Sequence, residues 1–330
     1  MLVGLTYDLR ADYLAMGYSA EETAEFDRED TIDGIEQALW HHGYATNRIG
    51  HAKELARRLV AGERWDIVFN ICEGFHGVGR EAQVPAMLDL YQIPYVFSDP
   101  LVLSLCLHKG LTKRVVRDAG IPTCQFHVVA GTEDMAAIDF EPPYFVKPVA
   151  EGTGKGCSTK SIVKSRSELE SVCLDLVKRF NQPALVEAYL DGREFTVGII
   201  GNGAQAEIVA IMEVLLLQNA EHGLYSFENK SNYEDRVEYR LCHQHSDKTA
   251  VAAGQVALDA WKVLGCNDGG RVDIRCNGKQ EPQFMEVNPL AGLNPTHSDL
   301  PILARMVGID FNTLIGRIMD AAIARIKGNK

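Results

Sequence analysis

The sequence has no apolar run long enough to cross a membrane, and Met1 leads directly into a short strand-like segment instead of a signal peptide. Its eight cysteines form no CxxC pair and have no paired histidine spacing, which argues against a zinc site and for reduced thiols in the cytoplasm. A net charge of -12 lacks the basic excess that nucleic-acid binding needs. We therefore expect a cytoplasmic protein with no membrane partner and no nucleic-acid partner.

The 330 residues, 46% hydrophobic and 24% charged, are typical of an ordinary globular enzyme with two or three subdomains. Strand and helix patterns alternate over the first hundred residues, which predicts a parallel sheet covered by helices. Longer strands dominate after residue 206, so the fold class is α/β followed by α+β. Strands are predicted at residues 2–7, 44–49, 65–72, 95–97, 125–129, 144–149, 184–190, 195–200 and 206–217, and helices at 31–42, 52–61, 81–91, 109–119, 167–180, 249–264 and 311–326.

One connection in the first part is unusually long and acidic. It covers residues 11–30, between the first strand and its helix. We expect this insert to be either a lid or a segment wrapped against the body of the protein.

Alternating polar and apolar residues mark a strand near residue 272. Side chains two apart in a strand share a face, so Arg271 and Asp273 point one way while Val272 and Ile274 point into a core.

A second strand nearby carries the same alternation. Glu286 and Asn288 share one face, and we expect Met285 and Val287 on the other. The two strands side by side would collect two carboxylates, a carboxamide and a guanidinium. Such oxygen ligands suit Mg²⁺, which is usually completed by substrate phosphates, and the guanidinium would hold an anionic partner. Each strand alone is typical of an amphipathic strand with a solvated ion pair. The two strands together predict a site that binds a nucleotide with a metal ion.

A glycine-rich segment follows a strand that carries Lys147. Three glycines in the segment 152–158 let backbone N–H groups approach an anion closely, and the lysine adds positive charge. The segment is neither a Walker A loop nor a dinucleotide fingerprint, and a glycine-rich tip is often only a turn. Lys109 and Lys230 are further candidates for phosphate contacts.

The segment 187–194 offers a site for a base and a sugar. Backbone groups where the buried strand ends, around Ala188 and Leu190, would meet an adenine edge. Glu187 and Glu194 could hold the amino group and the ribose.

These pieces occur in one order along the chain, and that order resembles the D-alanine–D-alanine ligase branch of the ATP-grasp enzymes. The resemblance covers nearly the whole sequence, and several motifs in order are more specific than any one alone. The motifs are Lys109, Val146-Lys147-Pro148, Glu151-Gly152-Thr153, Glu187, Glu194-Phe195-Thr196-Val197, Glu228-Asn229-Lys230, Arg271-Val272-Asp273 and Glu286-Val287-Asn288.

The resemblance implies an ATP-grasp fold with an N-terminal Rossmann-like domain at residues 1–105, a central subdomain at 106–192 and a C-terminal subdomain at 193–330. It implies ATP-dependent joining of a carboxylate to an amine through an acyl-phosphate, with small amino acids as substrates. A homodimer is a further expectation. By position, the ATP-binding residues would be Lys109, Lys147, Glu151, Gly152, Thr153, Gly154, Gly156, Glu187, Ala188, Leu190, Glu194 and Lys230.

The remaining implied roles concern metal, chemistry and substrate. Two Mg²⁺ ions, with Mn²⁺ as an alternative, would bind Asp273, Glu286 and Asn288. The catalytic set would be Arg271 and the Gly292 backbone as oxyanion hole, with Thr153 and Ser298. Substrate contacts are assigned to Glu25, Ser231, His297 and Ser298.

The departures from the family pattern lie at positions that determine which substrate is bound. The first strand ends in Thr6-Tyr7-Asp8 instead of glycines, and Ser231 stands where D-alanyl-D-alanine-forming members place a tyrosine. The segment 292–298 is one residue longer than usual before His297 and Ser298.

Four hypotheses about function follow. The family default is a D-alanine–D-alanine ligase; a ligase of the same type with another amino or hydroxy acid pair is the nearest alternative. A phosphotransferase and a non-catalytic ATP-binding module are the others, although no metal ligand or phosphate lysine is lost. Because of the departures, we predict inefficient synthesis of D-alanyl-D-alanine.

Overall fold

The computed structural model describes residues 1–217, 233–242 and 247–328. It contains three separate sheets. The strands are β1 (Leu2–Tyr7), β2 (Ala45–Gly50), β3 (Ile67–Ile71), β4 (Phe126–Val129), β5 (Tyr144–Pro148), β6 (Ile162–Val163), β7 (Ala184–Ala188), β8 (Glu194–Ile200), β9 (Glu207–Leu216), β10 (Val237–Leu241), β11 (Gly269–Cys276) and β12 (Pro282–Asn288).

Eleven α-helices are described within those ranges, and their order confirms the alternation expected for the first part. They are α1 (Arg10–Ala15), α2 (Glu29–His41), α3 (Ala52–Val60), α4 (Gln83–Leu90), α5 (Pro100–Leu107), α6 (Lys109–Asp118), α7 (Arg166–Phe180), α8 (Tyr233–Arg236), α9 (Lys248–Leu264), α10 (Asp299–Met306) and α11 (Phe311–Gly328). Within the described residues, none of them is long and apolar enough to span a bilayer.

The first sheet is parallel, in the order β2-β1-β3, as the sequence predicts. The strand expected at residues 95–97 is wrong: only Tyr95 forms a bridge, parallel to Val68. The reason is local, because Phe97 has a φ of +76°, which turns the chain away from the sheet.

The other two sheets have the strand orders β4-β7-β5-β6 and β10-β9-β8-β11-β12, and all the pairings given for them are antiparallel. The smaller sheet packs on α7, and the larger one on α9 through the buried Trp261. Helix α10 packs on β8 and β9 of the larger sheet, and α11 packs along α2, so that Ile315 and Met319 join the core cluster that also contains Phe69 of the first sheet. The N-terminal and C-terminal parts therefore share a core.

The acidic insert is wrapped against the body of the protein. It begins with α1, which the sequence analysis missed because a six-residue helix shows too little periodicity. Tyr13 stacks on Phe75 with ring centroids 5.7 Å apart, and Phe26 lies 4.4 Å from Tyr13. The insert's aromatic residues thus anchor it to the loop after β3.

Candidate active site

Strands β11 and β12 bring the predicted metal face together. Asp273 pairs directly with Glu286 and Arg271 with Asn288. Val272 and Ile274 are fully buried on the other face. The same-face prediction for these four polar residues is therefore confirmed.

The prediction that Met285 lies on the face opposite Glu286 and Asn288 is wrong. A register shift falls between Asp273 and Ile274, so that Ile274 pairs with Phe284. Phe284 and Val287 are the buried residues, and Met285 lines the cleft beside Glu286. This irregularity puts an apolar side chain among the charged ones.

Arg271 lies in the middle of the carboxylates. Its guanidinium contacts Asp273 and lies 3.6 Å from Asp299. Burial alone would lower the pKa of Arg271, but Asp273, Asp299 and Glu286 outweigh it and hold the pKa above its ordinary value. Thr196 donates a 2.9 Å hydrogen bond to Asp273 from β8. The guanidinium is therefore a fixed cation, oriented by its neighbours.

Two lysines face Glu286 from the other parts of the molecule. Lys147 Nζ on β5 lies 3.5 Å from Glu286 Oε2, and Lys109 Nζ on α6 lies 3.7 Å from it. Lys109 also donates a 2.6 Å hydrogen bond to the Glu151 carbonyl. Burial would lower the pKa of Lys147, but Glu187 and Glu286 raise it above its ordinary value, so it stays charged. The predicted phosphate lysines and metal ligands are thus in one place.

Lys113 is a functional candidate that the sequence analysis missed. It is completely buried, and its ammonium lies 2.6 Å from Glu187, which Lys147 also approaches at 3.1 Å. Burial would raise the pKa of Glu187, but the two lysines lower it. The ammonium of Lys113 also donates to the Phe284 carbonyl of β12 at 3.2 Å. The available signal was its spacing of four residues from Lys109, which puts both on one helix face.

The carboxylate of Glu187 is fully buried, between these lysines. If the Glu187 carboxylate contacted an adenine base directly, that contact would compete with its ion pairs to Lys113 and Lys147. Ala188, Leu190 and Glu194 line the cleft, where Glu194 lies 3.4 Å from Arg275.

The glycine-rich loop meets the acidic insert. The Gly152 amide donates to Glu25, whose carboxylate also pairs with Arg80 at 2.8 Å. Lys155 binds Glu151 at 2.6 Å. Thr153 has a φ of +49°, and its hydroxyl is buried without a hydrogen-bond partner among the described residues. Gly154 lines the cleft, and Gly156 packs so closely on Pro148 that an added Cβ would lie 2.6 Å from that ring.

The loop before α10 lies beside Arg271. An added Cβ on Gly292 would lie 2.9 Å from Ser298 Oγ, and that hydroxyl accepts a hydrogen bond from the Asn294 amide. Ser298 directly precedes Asp299, the second carboxylate near Arg271. His297 is exposed on this loop. Lys230 and Ser231 lie outside the described residues.

The donor set fits a magnesium ion and nucleotide phosphates. Among the residues that the structure describes, no three His, Cys, Asp or Glu side chains cluster as metal ligands, so the Asn288 carboxamide would have to be the third protein ligand. Its Nδ2 is buried with no hydrogen-bond partner in the described ranges. Mg²⁺ commonly takes few protein oxygens and completes its shell with phosphates and water.

Comparison with known structures places the fold in the ATP-grasp class. A D-alanine–D-alanine ligase from Bacillus anthracis, complexed with ATP, matches with a TM-score of 0.75 at 21% identity, and the match covers 100% of both chains.

The chain belongs to the D-alanine–D-alanine ligase family. The family described as "D-ala D-ala ligase C-terminus" matches residues 115–320. D-alanine–D-alanine ligases of Xanthomonas axonopodis and Bordetella pertussis are each 31% identical to it, over 87% and 89% of this chain and 87% and 90% of theirs. An uncharacterised protein y4sG of Sinorhizobium fredii is 32% identical over 80% of this chain and 76% of its own. The chain is thus an ATP-dependent, carbon-nitrogen bond-forming ligase of this type.

Proposed function

We propose that the protein uses ATP with two Mg²⁺ or Mn²⁺ ions to join two small amino acids through an acyl-phosphate. The observation that carries this proposal is the convergence of three oxygen ligands and Arg271 on paired strands, facing Lys109 and Lys147. Because these lysines come from α6 and β5, the cleft lies where three parts of the chain meet.

The ions would bind Asp273, Glu286 and Asn288. There they would neutralise charge on the transferring phosphoryl group. Lys109 and Lys147, already charged and close to Glu286, would bind the phosphate oxygens, and we assign Lys230 the same role. The loop of residues 152–158 would close over the phosphates.

The base and ribose would lie over the end of β7. Because the Glu187 carboxylate is paired with Lys113 and Lys147, we assign adenine recognition to backbone groups of Glu187, Ala188 and Leu190. Glu194 would bind the ribose.

The chemistry needs two bond exchanges. An oxygen of the donor carboxylate attacks the γ-phosphorus of ATP, and ADP leaves. The free amine of the acceptor then attacks the acyl carbon, phosphate leaves, and the amine loses a proton. Arg271 and the Gly292 N–H would stabilise the oxyanion between these events, and the hydroxyls of Thr153 and Ser298 would position the reacting groups.

The deciding experiment is a coupled ADP-release screen with pairs of D- and L-amino acids and hydroxy acids. Phosphate release that depends on the acceptor supports a ligase. ADP formation without any acceptor dependence would indicate a phosphotransferase, and no turnover with any pair would contradict the proposal. Light scattering of the purified protein tests the proposed homodimer.

A substrate pair other than two D-alanines is a second candidate. Asp8, at the altered end of β1, is buried and accepts hydrogen bonds from the Tyr13 hydroxyl at 2.6 Å and the Gly74 amide at 2.9 Å. The Asp8 carboxylate therefore stabilises the fold by holding Tyr13 and Gly74 in place. We predict that kcat/KM for D-alanine alone is lower than for another pair, and an equal or higher value would restore the family default.

A further inference from the structure

The ammonium group of Lys113 lies behind the wall of the proposed nucleotide cleft. The side chain is completely buried and does not line the cleft, whereas Glu187 and Lys147 both do. Lys113 is therefore out of reach of a bound nucleotide. Any effect that it has on ATP has to pass through another residue.

This ammonium group is held in place by three oxygen atoms. An ammonium has three N–H donors. Those of Lys113 meet Glu187 Oε1 at 2.6 Å, the Thr123 hydroxyl at 2.8 Å and the Phe284 carbonyl at 3.2 Å. The Thr123 hydroxyl donates to the same carbonyl at 2.8 Å. Lys113 is thus fixed between β7 and β12, the strand that carries two of the proposed metal ligands.

The carboxylate of Glu187 is shared by two lysines. Lys113 binds one oxygen, and Lys147 Nζ lies 3.1 Å from the other. Lys147 Nζ is also 3.5 Å from Glu286 Oε2 on the metal face. Lys147 therefore lies between two carboxylates, and its position depends on how strongly each of them attracts it.

Lys113 weakens the attraction from one side. Charges interact more strongly in a buried site than in water, and a buried carboxylate that loses one of its cations is left uncompensated. Without Lys113, the full charge of Glu187 would act on Lys147 alone. Lys147 would then move toward β7, away from Glu286 and from the proposed phosphate site.

We propose that Lys113 is a positioning residue for ATP binding. By neutralising part of the charge on Glu187, it keeps Lys147 available for the phosphates. The inference rests on the proposed function, because it concerns the phosphate lysine of that same site. It implies that affinity for the phosphates depends on Lys113, while affinity for the adenosine part does not.

The test measures the affinity of the 330-residue protein for Mg²⁺-ATP and for adenosine by isothermal titration calorimetry, adenosine by competition with ATP. In Lys147→Met the ATP-to-adenosine affinity ratio should fall at least about tenfold, because a charged contact is lost. Lys113→Met should lower the ratio by a similar factor. The two substitutions combined should lower it no further than Lys147→Met alone, since both act through Lys147.

Arg48→Met is the matched control for the loss of a paired cation. Arg48 binds Glu36 at 2.7 Å, but it lies on β2 in the first sheet. The variant removes the same charge as Lys113→Met, and its ATP-to-adenosine ratio should equal that of the wild type.

A second variant decides the question if Lys113→Met does not fold. The double variant Lys113→Met/Glu187→Gln buries no charge at either position, so Lys147 faces no uncompensated carboxylate on β7. Its ATP-to-adenosine ratio should stay within about threefold of the wild-type ratio, because the phosphate contact of Lys147 is kept. A tenfold lower ratio would show that Lys113 does not act through Glu187 and would overturn the inference.

The outcomes separate this inference from the ligase proposal. An unchanged ratio in Lys113→Met, with a lower one in Lys147→Met, would overturn the inference alone, because Lys113 would then only support the fold. An unchanged ratio in Lys147→Met would contradict the phosphate assignment of that lysine and the inference together.

Discussion

Buried acids have different surroundings in two regions of the molecule. One region is the proposed metal face on β11 and β12, and the other is the edge of the first sheet just after β3, where Glu73 and Glu81 lie. On the metal face, Asp273 contacts Arg271, and Glu286 lies near Lys109 and Lys147. At the sheet edge, Glu73 and Glu81 have no such partner in the described part of the chain, and their pKa values rise.

The difference shows what each region is prepared to bind. A cluster in which cations already surround the carboxylates is organised before an anionic phosphate and its metal arrive. At the sheet edge, burial raises the pKa values of both acids, so they keep their protons to a higher pH than exposed glutamates do. Substitutions in the two regions should therefore have different effects.

The largest effect should come from the metal face. Glu286→Gln removes a proposed metal ligand, and we expect kcat/KM for Mg²⁺-dependent ADP release to fall by about 10³-fold, the upper range for losing one group that stabilises the transition state. The melting temperature should change little. The matched control is Glu238→Gln, since Glu238 is exposed on β10. Near-normal turnover in Glu286→Gln would end the metal assignment.

The next effect concerns stability. Lys113→Met leaves Glu187 buried with Lys147 as its only remaining ion-pair partner in the described structure, so the free energy of unfolding should fall by about 3–5 kcal/mol. Urea unfolding measures it. Adding Glu187→Gln to Lys113→Met should recover part of the loss, because the buried carboxylate that lost one of its two cations is then neutral. A double variant less stable than Lys113→Met would contradict this account.

A pH effect should mark the sheet edge. Since the folded pKa of Glu81 is raised to about 7, the native state holds a proton that the unfolded state has released. Stability should therefore fall as pH rises from about 4.5 to 7, by up to about 3 kcal/mol from this group. Glu81→Gln should flatten that slope. An unchanged slope in the variant would show that Glu81 titrates normally.

The smallest effect should be in the glycine-rich loop. The cleft encloses only about 90 Å³, less than the roughly 300–1,000 Å³ of most ligand pockets, so the loop has to move when nucleotide binds. Tryptic cleavage after Lys155 should slow a few-fold with ATP and Mg²⁺. ATP without Mg²⁺ serves as the control. Equal rates in all conditions would count against a phosphate role for this loop.

The metal face could be predicted because it depends on local alternation. Period two in two strands puts Arg271, Asp273, Glu286 and Asn288 on shared faces before any partner is known. The register shift that places Met285 in the cleft cannot be detected from that alternation, because it depends on how the two strands pair.

The sheet edge could not be predicted in the same way. Glu73 and Glu81 become neighbours only because Gly74 packs on the Arg80 backbone, and their lack of partners is a property of the folded state. Lys113 similarly looks like any polar residue of an amphipathic helix until β7 supplies Glu187.

One side chain joins the two ends of the substrate region. Asn294, in the loop after β12, donates to Asp30 and Thr31 at the start of α2, each at 3.0 Å. Its carbonyl oxygen accepts from the amides of Thr296 and His297. A change that repositions the acidic insert therefore also displaces the loop of Ser298. Mutations that change which amino acid supplies the carboxylate should thus also change which amino acid supplies the amine. Variants in which only one of these two substrate preferences is altered should be rare.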